Sequence, residues 1–194
     1  MKKKKTAMKS KSKTGKSALK RTKKSAKKAV RKPVAKKKKV LAIPKGYHSI
    51  TPYLIVDQAA DAITFYKKAF GAKELLRMDH PNGKVGHAEL KIGDSKMMLA
   101  DECPEMNAHA PKTQGGSAVS MHLYVKNVDV IVKAAVKAGA KLTRPVTDMF
   151  YGDRSGMLED PFGHVWCVST HIEDVTPAKV RKRAAEFYQK KMHE

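Results

Sequence analysis

Two short stretches carry side chains that could do chemistry. In "VGHAELKI" (85–92) His87 and Glu89 stand two residues apart, and in "SMHLYV" (120–125) so do His122 and Tyr124. Two imidazoles and one carboxylate suit a divalent ion, which makes His87, Glu89 and His122 a candidate metal set. The same groups suit a general base with its orienting partner, for which Glu89 and His122 are the catalytic candidates. Thr51, Tyr53, His87, Tyr124 and Cys167 are candidates to line a ligand site. The competing reading has His87 and Glu89 bonded across strands and His122 as a satisfied buried polar group. A third stretch, "YGDRSGMLEDPFGHVWCVSTH" (151–171), looks equally chemical. Its Asp160-Pro161-Phe162-Gly163 segment is built of ordinary turn formers, with Gly163 expected at positive φ.

Periodicity indicates which elements position these residues. Ile50–Val56 alternates as a strand, with Pro52 marking a sheet edge or strand start. Ala59, Ile63, Tyr66 and Phe70 then recur at helical spacing, with Asp57 as a candidate cap and Gly71 as the stop. Three strands follow at about 74–79, 85–92 and 96–101, separated by Pro81-Asn82-Gly83 and Gly93-Asp94. The pattern then repeats: the strand "SAVSMHLYVKN", the helix "VDVIVKAAVKAGA", and strands that include Arg154–Glu159 and His164–Thr170. Gly-Ala-Lys recurs at 71–73 and 139–141, and Gly86 and Glu89 recur as Gly156 and Glu159. The fold class read from this is α+β: two tandem βαβββ modules, neither large enough to bury its sheet alone. Alternation puts His87, Glu89, Thr51, Tyr53, His122, Tyr124 and Cys167 on the side away from the helices. Trp166, Met97, Met98 and Met121 are expected as core, and Arg154 as a partner of Asp153 or Glu159 or of an anion. Thr176 and Pro177 open a closing helix with Val180, Ala184, Phe187 and Tyr188 as its apolar stripe, lying on the body or on a partner subunit.

Charge divides the chain differently. Residues 1–40 hold twenty of the 41 Lys/Arg and no Asp or Glu, which leaves 21 basic against 18 acidic side chains in residues 41–194. Like-charge repulsion and the lack of any apolar run lead us to expect disorder in this arm. Its composition resembles linker-histone tails and suits sequence-independent contact with DNA or RNA phosphates; the alternative is a solubilising tail. No apolar run fits a secretory signal or a membrane helix. Cys103 and Cys167 lie outside any CxxC spacing, which argues against a disulfide scaffold and fits a reducing, cytoplasmic setting, with nucleoid association as the alternative that the arm adds. The domain reading is a Lys-rich tail over 1–45, module one over 46–105, module two over 116–175 and a helix over 176–194.

Tandem βαβββ units with "FYKKAFG" and "EDPFGHVW" resemble the vicinal-oxygen-chelate superfamily of glyoxalase I, bleomycin and fosfomycin resistance proteins and extradiol dioxygenases. "TPYLIV", "GHAELKIGDSKMMLADE" and "DPFGHVW" look more specifically like its PhnB-like branch. The resemblance covers roughly residues 47–175. It implies a curled sheet cup holding a small molecule, a metal in many members, and a homodimer whose cups are completed by the second chain. It leaves two functions open: a metal-dependent lyase or dioxygenase-like enzyme, or a non-catalytic sequestering protein. Carried over residue by residue, the family's metal positions fall on Thr51, on Ser120 with His122 two residues on, on Cys167, and on a Met or Leu of "KMMLAD". These do not rebuild the family's imidazole and carboxylate set.

Overall fold

The computed structural model describes residues 40–192. The expected disorder of the Lys-rich arm falls on residues 1–39, outside the described residues. The first module comprises β1 (Tyr53–Val56), α1 (Ala59–Phe70), β2 (Lys73–Asp79), β3 (Val85–Ile92) and β4 (Ser95–Asp101). A connector carrying the single-turn helix α2 (Pro111–Gln114) leads to the second: β5 (Ser120–Tyr124), α3 (Val128–Lys137), β6 (Lys141–Asp148), β7 (Asp153–Glu159) and β8 (Val165–His171). Helix α4 (Pro177–Lys191) follows. Each module forms a four-stranded mixed sheet, ordered β1-β4-β3-β2 and β5-β8-β7-β6, with the first strand parallel to the last. The same order occurs twice, so this is the tandem α+β architecture expected from the repeat. The first strand is shorter than its alternation implies. Ile50 is 88 % exposed, and pairing starts only past Pro52, which has no N–H to donate.

Both helices follow their apolar stripes. Ala59, Ala62, Ile63, Tyr66, Ala69 and Phe70 of α1 are buried, and Gly71 ends the helix at φ 66° with its N–H on Tyr66 O. The expected Asp57 cap is corrected by the structure. Gln58 occupies the cap position with a left-handed backbone and makes no side-chain cap bond. The helix start is instead held from across the sheet: Asp101, at the end of β4, accepts the Ala59 N–H at 2.8 Å and the Val85 N–H at 2.6 Å. The second module repeats the device with a neutral side chain. Thr170 on β8 accepts the Val128 N–H at 2.8 Å and donates to Val125 O at 3.0 Å.

Helices α1 and α3 pack against one another and against one face of the sheets. Leu54, Val56, Leu90 and Leu99 line that face in the first module, and Leu158, Trp166 and Val168 line it in the second. At the join sits the "DPFG" turn. Asp160, 3 % exposed, accepts the Tyr66 phenol at 2.8 Å and the Trp166 indole N–H at 2.9 Å on one oxygen. Its other oxygen takes the Phe162 and His164 amides, each at 2.9 Å. Gly163 has φ 91°, as the turn requires. Burial, with the neighbouring Asp160 charge, pushes the Tyr66 phenol well up and keeps it a neutral donor. Phe65 meets Phe70 and Phe162 edge-on beside the cluster, and Phe70 stacks on Tyr66. The Asp160–Gly163 segment is therefore a structural clasp between modules, as its turn-forming composition implied.

Helix α4 lies on the body rather than standing off it. Thr176 caps it, the Phe187 and Tyr188 rings pack 5.3 and 6.1 Å from Phe150, and Arg183 grips Glu173 with two nitrogens. No helix among the described residues is long and apolar enough to cross a membrane.

Asp160→Ala should lower the unfolding free energy by about 3 kcal/mol or more, because it orphans several buried donors at once. Tyr66→Phe should cost only about 1 kcal/mol. Urea unfolding of both variants measures this, and a cost below about 1 kcal/mol for Asp160→Ala would remove the clasp.

Candidate functional site

With the helices covering one face of each sheet, the candidate residues fall on the other. On the first sheet, Tyr53, His87, Glu89 and Met98 share this open face by register. The Tyr53 hydroxyl shares a 3.1 Å hydrogen bond with His87 Nδ1, their rings 5.6 Å apart. His87 Nε2 lies 3.9 Å from Glu89, which also faces Lys96 Nζ at 3.7 Å. Glu89 is thus held between two cationic or potentially cationic groups. Residues 41–51 run across this face, and with Glu89 and Met98 they enclose a cavity of about 460 Å³. Tyr47 leads that segment, with Lys96 Nζ 3.9 Å above its ring. Its buried hydroxyl faces Glu89 without meeting the geometry of a full hydrogen bond. That contact, with burial and the carboxylate's charge, pushes the phenol up to about 12. Thr51 joins the same cavity, although its own hydroxyl bonds locally to His48 O at 3.3 Å.

The second sheet's open face carries a continuous polar network. Asp153, 4 % exposed, accepts the Tyr124 phenol at 2.8 Å and meets His171 Nδ1 at 2.7 Å. His171 Nε2 meets Asp174 at 3.1 Å. With a carboxylate at each ring nitrogen, only the imidazolium can donate to both. The bond to Asp153, then that to Asp174, accordingly raises the His171 pKa. The Asp153 contact, with burial, raises the Tyr124 phenol, so it stays a donor. Beside this lies a second group: Cys167 Sγ is 3.2 Å from Ser155 Oγ and 3.9 Å from Ser169 Oγ, both hydroxyl residues being fully buried. Arg144 Nη2 donates to Ser155 Oγ at 3.2 Å. His122 is exposed and touches the Tyr124 ring at 4.7 Å.

The sequence-predicted residues therefore separate into two sets. Thr51, Tyr53, His87 and Glu89 belong to the first sheet, and His122, Tyr124 and Cys167 to the second. No group of three metal-capable side chains gathers among the described residues, so His87, Glu89 and His122 do not meet within one chain. His122 is not the buried polar group of the competing reading, and His87 takes Tyr53 as its hydrogen-bond partner rather than Glu89. Arg154 pairs with Asp129 and Asp148 on the helix side, at 2.9 and 2.8 Å, and not with Asp153 or Glu159. Trp166 and Met97 are core as expected, while Met98 lies on the open face. Asp153, Ser155, Ser169 and His171 were missed. Their signal was available, because they share the strand parity that placed Cys167. Arg144 had no such signal, since the pairing of β6 slips on both sides of it.

A family model for the glyoxalase/bleomycin resistance protein/dioxygenase superfamily matches residues 46–168. The chain belongs to that superfamily. A Mycobacterium bovis protein is 40 % identical over 136 residues, which cover 69 % of this chain and 90 % of that one. Among solved structures, an Arabidopsis thaliana gene product has a TM-score of 0.53 at 31 % identity, covering 63 % of this chain and 98 % of that chain. A PhnB protein of Bacillus cereus has a TM-score of 0.50 at 18 % identity, over 63 % and 99 % of the two chains, a likeness of fold alone.

Many members of the superfamily hold a metal, and the residues here do not fit one. Met98 and Cys167 occupy the open-face register positions on β4 and β8, Ser120 stands on β5, and Thr51 precedes β1. Among these donors there is no carboxylate and no imidazole, so no step is routed through a metal.

The His171 linkage has a definite sign. Its folded-state pKa is raised above the usual 6.5, so its contribution to stability is full below that value and is lost as pH rises through the raised one. His171→Gln should lower Tm at about pH 5.5 and change it little at about pH 9. An equal loss at both would remove the imidazolium from the account.

Proposed function

We propose that this chain binds a compact polar molecule on the open face of its second sheet, as a PhnB-like member of the superfamily. The observation that carries this is the network around Asp153. A buried carboxylate is held by a phenol and an imidazole that both reach the surface, next to a thiol and two hydroxyls. Such a network holds the Tyr124 and His171 rings in fixed orientation toward a ligand, and preorganisation is what makes a small polar site effective. His122, Tyr124 and Cys167 are the ligand-facing side chains of this reading, with Thr51, Tyr53, His87 and Glu89 contributing from a first sheet. Tyr124 and His171 also give the face groups able to transfer a proton, with Asp153 orienting both. Turnover then separates an enzyme from a sequestering protein, and a neighbouring face supplied by a second chain fits either outcome. The pairing is supported by Tyr53, Leu76 and Met78, which stay 43 to 52 % exposed on the first sheet. A homodimer would cover them, and it would bring Glu89 of one chain toward the second sheet of the other.

The arm over residues 1–40 is read separately, as a polycation that contacts DNA or RNA phosphates in the cytoplasm or nucleoid. This rests on its composition, with twenty cations and no acids.

A panel of small polar metabolites, followed by thermal shift and by product analysis, tests the first proposal. Tyr124→Phe and Asp153→Asn should weaken any hit about tenfold or more, the value of one charge-assisted hydrogen bond. A hit unaffected by either variant would place the ligand elsewhere. For the arm, gel shifts at rising salt should show affinity falling steeply for the full chain and absent once residues 1–40 are removed. Unchanged affinity after that deletion would exclude the arm.

A further inference from the structure

Arg144 lies on the second sheet's open face with no counter-charge among the described residues. The pairing of β6 with β7 slips between Leu142 and Arg144 and again between Arg144 and Thr147. Such bulges re-aim side chains, and here they turn Arg144 over Ser155 and Cys167. Its Nη2 donates to Ser155 Oγ at 3.2 Å and stands 4.0 Å from Cys167 Sγ. Its Nε is buried and meets no hydrogen-bond partner. Arg77, Arg154 and Arg183 each hold a carboxylate. Arg144 makes no ion pair among the described residues. The acids of its face are engaged elsewhere: Asp153 with Tyr124 and His171, while Glu159 stands opposite Lys141 across the strands.

A half-buried guanidinium without a carboxylate partner is costly to maintain unless something else supplies oxygen acceptors and negative charge. Its planar fork matches two oxygens of one group. We infer that Arg144 is the seat of a compact oxyanion on the ligand, a carboxylate or a phosphate or phosphonate group. The two terminal nitrogens of Arg144 are its paired donors, and the Ser155 and Ser169 hydroxyls and the Cys167 thiol lie beside it. This rests on the proposed function and narrows it, because it names the charge that the ligand must carry.

The test uses the full-length chain labelled with nitrogen-15, at constant ionic strength set with chloride. The Nε–H resonance of Arg144, assigned by its absence in Arg144→Met, is followed during separate titrations with acetate, methylphosphonate and inorganic phosphate. In parallel, alkylation of Cys167 by iodoacetamide is timed by mass spectrometry, with Cys103 as the internal reference. The expected result is a saturable shift of the Arg144 signal with at least one anion and slower alkylation of Cys167 alone. Arg144→Met should abolish the protection, Arg144→Lys should weaken it about tenfold through loss of the fork, and Arg154→Met should leave it intact. Acetate against the two tetrahedral anions tells a carboxylate seat from a phosphate or phosphonate one. Two results would overturn the inference while leaving the proposed function standing. One is an Arg144 signal that responds no more to these anions than to chloride. The other is a metabolite panel in which only uncharged compounds shift Tyr124 and protect Cys167. Silence of the whole face toward every compound would overturn both.

Discussion

Asp160 accepts hydrogen bonds from the Tyr66 phenol, the Trp166 indole and the Phe162 and His164 amides, and so joins the first module's helix to the last hairpin of the second. A carboxylate buried to this degree is tolerated only where its lone pairs are filled. Four donors do that here, and two of them come from large aromatic side chains that also form the core. The clasp therefore does two things at once. It sets the depth at which α1 sits against the second module, and it fixes where β8 begins. The alternation of β8 follows from that starting point, with Trp166 and Val168 inward and Cys167, Ser169 and His171 outward. The polar network is positioned, at one remove, by a turn that takes no part in it.

The two modules keep the same skeleton and diverge on their open faces. Asp101 and Thr170 both tie a helix start to the end of the last strand, one with a charge and one with a hydroxyl. That joint cannot vary much, because the amide it satisfies is enclosed. The open faces are under no such constraint. In the first module, Glu89 is engaged by Lys96 and His87 and faced by Tyr47, and the chain's own residues 41–51 lie across it. In the second, Asp153 is satisfied while the groups bonded to it remain accessible. A duplicated unit has thus produced one face whose carboxylate is paired locally and another whose carboxylate is held by groups that reach the surface. The charge logic of the two faces differs accordingly: the first pairs its carboxylate with cations, and the second has a guanidinium with no ion pair among the described residues.

The members of the site were unequally legible. Tyr53, His87, Glu89, Tyr124 and Cys167 follow from period-two alternation, which needs only a correct strand and a known inner face. The same rule would have found Ser155, Ser169 and His171, whose types drew less notice than imidazole beside carboxylate. What alternation could not supply was grouping. His87 and His122 share a face type but sit on different sheets, and strand order, not spacing, separates them. Arg144 escaped for another reason, since two bulges break the parity on which the rule depends. Asp57 misled because a local cap looked sufficient, whereas a residue 42 positions away holds the helix start.

Sequence alone determined the things that depend on short-range regularity: the repeated strand-helix-strand periods, the turn at Asp160–Gly163, and the cationic arm with its excess charge. These need only residue type and local spacing, because backbone sterics and side-chain alternation act over a few residues. Tertiary structure decided what depends on long-range contact: that Asp160 is a clasp, that His87 and Glu89 are parted from His122, and that Arg144 stands over Cys167 without an ion pair among the described residues. Those outcomes are set by which strands become neighbours and where the ladder slips, and no local pattern encodes either.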